Sequence, residues 1–401
     1  MTISEQQQAI RSDTELGYPR TERQARFMRL ADELAPQVAA YATAHDRENS
    51  FPHDSFAALH AAGYLALTVP QEYGGQGATP LELALAQERL ARGDGSVALA
   101  ATMHLIYIGT IVQTRAWPAA LFERFCREVV NEGALINSAA SEPDLGSPSR
   151  GGLPSTTATR TAHGWCLRGR KSWTSLAPAL RYFVVLTALH EEGQTPRRAN
   201  FLVPADTAGL RIEETWDNLG MRATASHDLI LEDIMLPEDA LLPDDSSRSA
   251  AVDPRGWAVV TAAVYTGIAA AARDFAINYA RNRRPNGMAG PIAELQTVQH
   301  RIAEIELLML QTRSVLYSTA EAWEAHPEQH DALAWQLAAV KYLATNNAIR
   351  VTDLAMRVVG SAGLTRGLPL ERYFRDVRAG LGHPPMDDAA LTLIGKHALG
   401  L

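Results

Sequence analysis

At 401 residues the chain exceeds what one hydrophobic core usually supports, so two or three lobes are expected. Its 46% hydrophobic and 20% charged content is that of an ordinary globular protein, and a net charge of −8 argues against a nucleic-acid surface. Two cysteines, Cys126 and Cys166, are too few for a disulfide framework and not spaced as a metal site, which fits a reducing cytoplasm.

The opening residues, MTISEQQQAIRSDTELGYPR, lack the apolar run of a signal peptide, and a loosely held polar segment is expected up to about Thr21. From Glu22 the residues Phe27, Leu30, Leu34, Val38 and Tyr41 recur at steps of three and four, one face of a helix that Pro36 should bend. A second helix is expected from Pro52 to Ala62. Gly74, Gly75 and Gly77 break the helical pattern, and Thr79 and Pro80 restart it as N-cap and first helical residue. This lobe is helical through about Asn131.

From Leu135 to about Leu242 the sequence turns β-branched, aromatic and turn-rich, with INSAASEP, GWCLRGRKSWTS, RYFVVLTAL, ANFLVPAD and HDLILEDIMLP as strand segments. Asp244 to Asp253 is a polar, acidic linker. Long helical patterns follow over about Pro254 to Arg283, Ile292 to Ala325 and Asp331 to Val359, with a last pair on either side of His383. The most apolar segment, Trp257 to Ala272, is shorter than the roughly 20 residues that span a bilayer and reads as a buried core helix. Lysine occurs only at 171, 341 and 396, and nothing about function follows from that alone. The fold class is α+β: an N-terminal helical domain over 1–134, a β-barrel-like middle domain over 135–245 and a C-terminal four-helix bundle over 250–401.

The stretch from Met356 to Asp388 is the most informative. A helical run ends in Gly360-Ser361-Ala-Gly363, residues whose lack of bulk lets a ligand approach the main chain. Leu-Glu-Arg-Tyr-Phe-Arg375-Asp376 follows at helical spacing, then Gly-Leu-Gly-His383-Pro-Pro, where two prolines stop any helix. Residues alone leave two readings open here: a site, or an interhelix turn with a surface ion pair between Arg375 and Asp376.

These motifs in this order resemble the acyl-CoA dehydrogenase superfamily of flavoproteins over nearly the whole length. The stretch above resembles its C-terminal end, and VPQEYGGQG its turn in the helical lobe. Ser141-Glu-Pro-Asp-Leu-Gly-Ser147 resembles the family turn that lies against the flavin, which implies Ser141 at the cofactor and Ser147 at the acyl-CoA; the family usually continues with Asp where Pro148 stands. Gly169-Arg-Lys-Ser-Trp173-Thr174-Ser175 resembles the family strand that shields the flavin ring, with Trp173 along its edge and Thr174 and Ser175 near N5. Arg222, in Gly-Met-Arg-Ala-Thr-Ala-Ser226, is expected to stabilise the β-domain. YARNRRPNG resembles the family segment that places Arg283 on the FAD pyrophosphate of a neighbouring subunit, with Gln296 on the adenosine side. Arg357, Gly360 and Ser361 complete the implied cofactor set. The resemblance thus implies bound FAD, a homo-oligomer (dimer or tetramer), an acyl-CoA or other small apolar substrate, an electron acceptor or flavin reductase, no nucleic acid and no membrane span.

One departure bears on the chemistry. Dehydrogenation needs a carboxylate to take the substrate α-proton, and the family's two places for it are Pro384 and Trp257 here. Three explanations compete. A shifted carboxylate, Asp387 or Asp388, is the base, although capping of the last helix is the more ordinary role for either. The chain instead resembles the flavin-monooxygenase branch of the scaffold, whose R-D-x-R-x-x-x-x-H-x-P loop Arg375-Asp-Val-Arg378 and His383-Pro-Pro385 match; there a His near the flavin assists oxygen chemistry, and His104 is a candidate second one. Finally, the protein binds flavin without catalysis. Acyl thioester dehydrogenation stands slightly ahead, with His383 and Asp387 as catalytic candidates.

Overall fold

The computed structural model describes residues 17–115, 117–145, 152–243 and 253–401. Ser147, most of the expected linker and nearly all of the expected polar N-terminal segment lie outside the described residues. Packing gathers the chain into two compact units, residues 1–43, 79–98 and 255–401, and residues 44–78 and 99–254.

The N-terminal helices are α1 (Glu22–Glu48), α2 (His53–Ala61), α3 (Pro80–Ala91), α4 (Gly95–Thr114) and α5 (Ala119–Glu132). Pro36 lies inside α1 without ending it. Helix α3 begins where Thr79-Pro80 predicts: the Thr79 hydroxyl accepts from the Glu82 amide at 3.2 Å and the Glu82 carboxylate accepts from the Thr79 amide at 3.0 Å, a reciprocal cap.

In the first unit, α3 packs against a bundle of α6 (Ala258–Asn282), α7 (Gln296–Ala325) and α8 (His330–Val359), followed by the short α9 (Leu370–Asp376) and α10 (Asp387–Leu399). Helix α6 is apolar on almost every side because it sits at the centre, touching α3, α7 and α8. It lies within the expected Pro254 to Arg283 pattern and is, like α4, long and apolar enough to cross a membrane; both are mostly buried within the protein. Glu88 of α3 is buried beside α7, where it accepts from Arg313 at 2.5 and 2.9 Å and from the Tyr317 hydroxyl, with Arg92 at 3.3 Å. Burial alone would raise its pKa, but the two guanidinium charges and the hydroxyl outweigh that and bring it down to about 2.

In the second unit a seven-stranded mixed sheet has the order β1-β4-β2-β3-β7-β6, with β5 on the other edge of β4. The strands are β1 (Leu135–Ala139), β2 (Thr157–Thr161), β3 (Gly164–Thr174), β4 (Leu180–His190), β5 (Arg197–Pro204), β6 (Leu210–Glu213) and β7 (His227–Leu236). β4 runs parallel to β1 and β2 and antiparallel to β5, and β3 pairs antiparallel with β2 and β7. Ile108, Ile111, Phe125 and Val129 from α4 and α5 pack with Ile136, Val184 and Leu202 of the sheet into one apolar core. Arg222 does what was expected of it: it donates to Asp46 O at 2.7 Å, to Asp217 at 2.8 Å and to Asn218 O at 3.0 Å, tying the turn before β7 to the end of α1.

Candidate functional site

Four predicted residues come together at the end of β3. Pairing of β3 with β7 shifts register between Lys171 and Thr174, and Trp173 within the shift takes a φ of 60°. The bulge turns Trp173 outward: it is 64% exposed, and its ring meets Trp216 edge-on at 5.0 Å. An indole filling the β-domain core, the ordinary role of a strand tryptophan, is thereby ruled out. Beneath it the Thr174 hydroxyl is buried with no hydrogen-bond partner among the described residues. Ser175 is already engaged, its hydroxyl 2.8 Å from that of Ser226, which is 2.8 Å from that of Thr224.

Ser141 is fixed to the same strand end, its carbonyl accepting from the Ser172 amide at 2.9 Å. The neighbouring Glu142 is clasped by Lys171 Nζ at 2.7 Å and by the amides of Ser155 and Thr156 at 2.7 and 2.9 Å. Burial would raise this carboxyl, yet three donors hold it down at about 2.

In the bundle unit, Arg283, Gln296, Arg357, Gly360 and Ser361 are all exposed at one end. Arg283 caps α6 and its carbonyl receives the Ile292 amide at 2.9 Å, just ahead of Gln296 at the start of α7. Arg301 of α7 donates to Arg357 O at 3.0 Å near the end of α8, which closes the group. Gly360 has φ +71°, with open space where a side chain would project.

His383 and Asp387 lie elsewhere in that unit, against the first half of α8, about 16 residues and roughly 24 Å along the helix from Arg357. Gly380 sits so close to α8 that a Cβ there would fall 2.7 Å from Thr345 Cγ2. The His383 ring lies 5.8 Å from that of Tyr265 on α6, whose hydroxyl is buried with no hydrogen-bond partner among the described residues. Burial, reinforced by the charge of Lys341, lowers His383 to about 4, so its imidazole is neutral at physiological pH. Asp387 is the first residue of α10 and does not cap it, contrary to the expectation; its carboxylate accepts from Lys341 at 3.3 Å and Asn346 at 3.0 Å. In the preceding turn Arg375 pairs with Glu371 at 2.7 Å, and Asp376 is buried rather than at the surface. His104 is no second active-site imidazole. It is fully buried, its Nδ1 accepting from the Ile136 amide at 3.2 Å and its Nε2 donating to Leu65 O at 3.1 Å, and burial lowers it to about 4.

Sequence reasoning passed over Lys171 and Lys341, the two lysines that are buried and ion-paired. Their rarity was the available signal. Trp216, Tyr265 and Ser226 gave none, because their roles depend on contacts distant in sequence.

Three family models cover most of the chain: acyl-CoA dehydrogenase N-terminal domain over residues 21–117, middle domain over 137–234 and C-terminal domain over 258–381. The chain is 42% identical over 94% of its length to YdbM of Bacillus subtilis (strain 168), of which 97% is covered and whose name assigns it provisionally to the acyl-CoA dehydrogenases. It is 30% identical over 83% of its length to the human mitochondrial short-chain specific acyl-CoA dehydrogenase, 79% of which is covered. The chain belongs to the acyl-CoA dehydrogenase superfamily. It is therefore a flavoprotein of that superfamily, and members with other activities share its fold. The structure of KijD3 in complex with FMN and a dTDP-linked amino-keto sugar superposes with a TM-score of 0.83 at 29% identity, covering 96% of each chain.

The residues present fit a flavin. A buried, unpartnered hydroxyl at Thr174 leaves a donor to spare, and the exposed indole of Trp173 offers an apolar wall.

Proposed function

We propose that this protein is a flavin-dependent oxygenase: it accepts electrons through reduced flavin made by a separate reductase and uses dioxygen on a small apolar substrate. The observation that carries this reading is a half-buried, neutral His383 on the same loop as an Asp387 already occupied by Lys341 and Asn346. A dehydrogenase needs a carboxylate free to take an α-proton. Here that loop offers an imidazole instead, and the sequence-based order of the two activities reverses.

A bound reduced flavin would supply the two electrons with which one oxygen atom enters the substrate and the other leaves as water. The rest falls to this chain. Trp173 would shield the ring edge from water, and the Thr174 hydroxyl would donate to the ring where Ser175 cannot, being held by Ser226. In the bundle unit, the neutral His383 has one N–H to give and one lone pair to receive, so it can pass a proton to an oxygen without adding a charge there. Tyr265 places a second hydroxyl beside it. We assign FAD as the cofactor, with Arg283 and Gln296 serving a neighbouring subunit's diphosphate and adenosine, because both are exposed on the bundle and their side chains make no hydrogen bond or ion pair among the described residues; Ser147, at the substrate, belongs to the same assignment. Two free cysteines fit the cytoplasm.

A second reading, α,β-dehydrogenation of an acyl-CoA thioester, is favoured by the 42% identity to YdbM and the 30% identity to the human short-chain enzyme. In it Asp387 would leave Lys341 to act as base. The test is the purified protein's flavin, identified after release, followed by anaerobic titration with a panel of acyl-CoAs and by aerobic turnover with a flavin reductase. Oxygen uptake without anaerobic bleaching supports the oxygenase; bleaching by any acyl-CoA overturns it. Neither response leaves a flavin-binding protein.

A further inference from the structure

The His383 loop is held by one face of α8. Thr345 receives the backbone of Gly380 at its near end, and Lys341, one turn earlier, reaches Asp387 at its far end with Asn346 beside it. Tyr265 closes the third side from α6. Lys341 is almost wholly buried and Asp387 is partly so, and a buried ammonium is retained only where a counter-charge and good geometry repay its lost hydration. A latch needing only mechanical strength would be served as well by apolar packing, so the use of two charges next to an imidazole calls for another reason.

We propose that Lys341 and Asp387 are positioning residues that together seat the His383 loop on α8, with the Lys341 ammonium acting on its imidazole. The proposal rests on the oxygenase reading for its purpose, but not for its test. The ammonium disfavours a second positive charge on the ring, and the carboxylate that accepts from it offsets part of that charge. The other group facing the ring is Tyr265 from α6, itself influenced by Asp376 of α9, and both stay constant when the pair is altered.

The experiment is NMR titration of the flavin-free full chain with selectively labelled histidine, the His383 signal assigned by its loss in His383→Gln. In the wild type His383 remains neutral down to about pH 4. Lys341→Met removes the cation, so the midpoint rises toward the value that burial alone sets. Asp387→Asn leaves the cation unopposed, so the midpoint stays put or falls. Lys341→Gln carries the same expectation as Lys341→Met should the latter not fold, and Lys341→Arg keeps the wild-type midpoint. These responses of opposite sign are what a purely structural role does not give: a loosened loop would bring His383 toward its ordinary value in both variants. A rise in both, or no change in either, overturns the proposal. Because no turnover is measured, its failure is separate from failure of the oxygenase reading, which the acyl-CoA panel tests.

Discussion

Lys171 and Glu142 meet at 2.7 Å with both side chains almost wholly out of water, and this contact joins the turn carrying Ser141 to the strand carrying Trp173. Removing one partner strands a buried charge. Glu142→Ala should therefore cost about 3–5 kcal/mol by chemical denaturation and reduce flavin retention, while Glu142→Ala with Lys171→Met should recover most of the stability. A single variant within about 1 kcal/mol of wild type would show that water already reaches the pair.

Acid should unfold the protein in two stages. His104 and His383 are lowered to about 4 in the fold, so the stability they contribute is complete above their ordinary value of 6.5 and is lost as pH falls from there toward 4. Glu88 and Glu142 are lowered to about 2, so their share is complete above 4.5 and is lost as pH falls toward 2. Denaturation midpoints measured from pH 7.5 to 3 should hold level down to about 6.5 and fall from there, with His104→Gln flattening the upper part of the fall. A flat profile between pH 6.5 and 4.5 in the wild type would contradict this account.

The elements were legible where a local signal defines them. Thr79-Pro80 announced the start of α3, the turn-rich stretch bounded the sheet, and the helical pattern from Pro254 to Arg283 marked the central helix. The strand end at Trp173 was found because its neighbours in sequence form a motif. What stayed hidden depends on chain partners far apart: Lys341 finds Asp387 across 46 positions and Glu88 finds Arg313 across 225. Periodicity cannot report such contacts, since a buried charge on a helix face looks the same as a solvated one until its partner is known. The role of Asp387 was missed for that reason, local sequence making it a cap when a lysine on another helix had claimed it.

Of the two hydroxyls at the end of β3, the unpartnered one should matter more to the cofactor. Thr174→Val removes a buried donor with no other task and should weaken flavin binding about tenfold, near the upper end of a single hydrogen bond. Ser175→Ala leaves Ser226 with Thr224 and should have a smaller effect. Equilibrium titration of flavin-free protein, followed by quenching of the exposed Trp173, would measure both. A larger loss in Ser175→Ala would reassign the contact.

Arg283 should act on the cofactor of another subunit. Exposed at the end of α6, it can be changed to Ala with less than about 0.5 kcal/mol lost from the chain's own stability. The same variant should release flavin and weaken self-association together, read by absorbance and sedimentation across protein concentration. Full flavin occupancy in a verified monomer would refute a shared site.

The last prediction concerns His383 itself. Loss of a positioned proton donor typically costs 10²- to 10⁴-fold in rate, so His383→Ala should lower oxygenated product by about 100-fold or more while reduced flavin continues to consume oxygen and returns it as hydrogen peroxide. Since burial keeps the ring neutral to about pH 4, the wild-type product rate should show no inflection near 6.5 arising from this residue. His383→Gln, which retains one N–H donor, should recover part of the coupling. The dehydrogenase reading predicts a different pair of outcomes: anaerobic bleaching by an acyl-CoA survives in His383→Ala and disappears in Asp387→Ala. Oxygen uptake, peroxide yield and anaerobic absorbance on the three variants separate the two, because an imidazole serves proton transfer to oxygen whereas abstraction of an α-proton needs the carboxylate that Lys341 and Asn346 now hold.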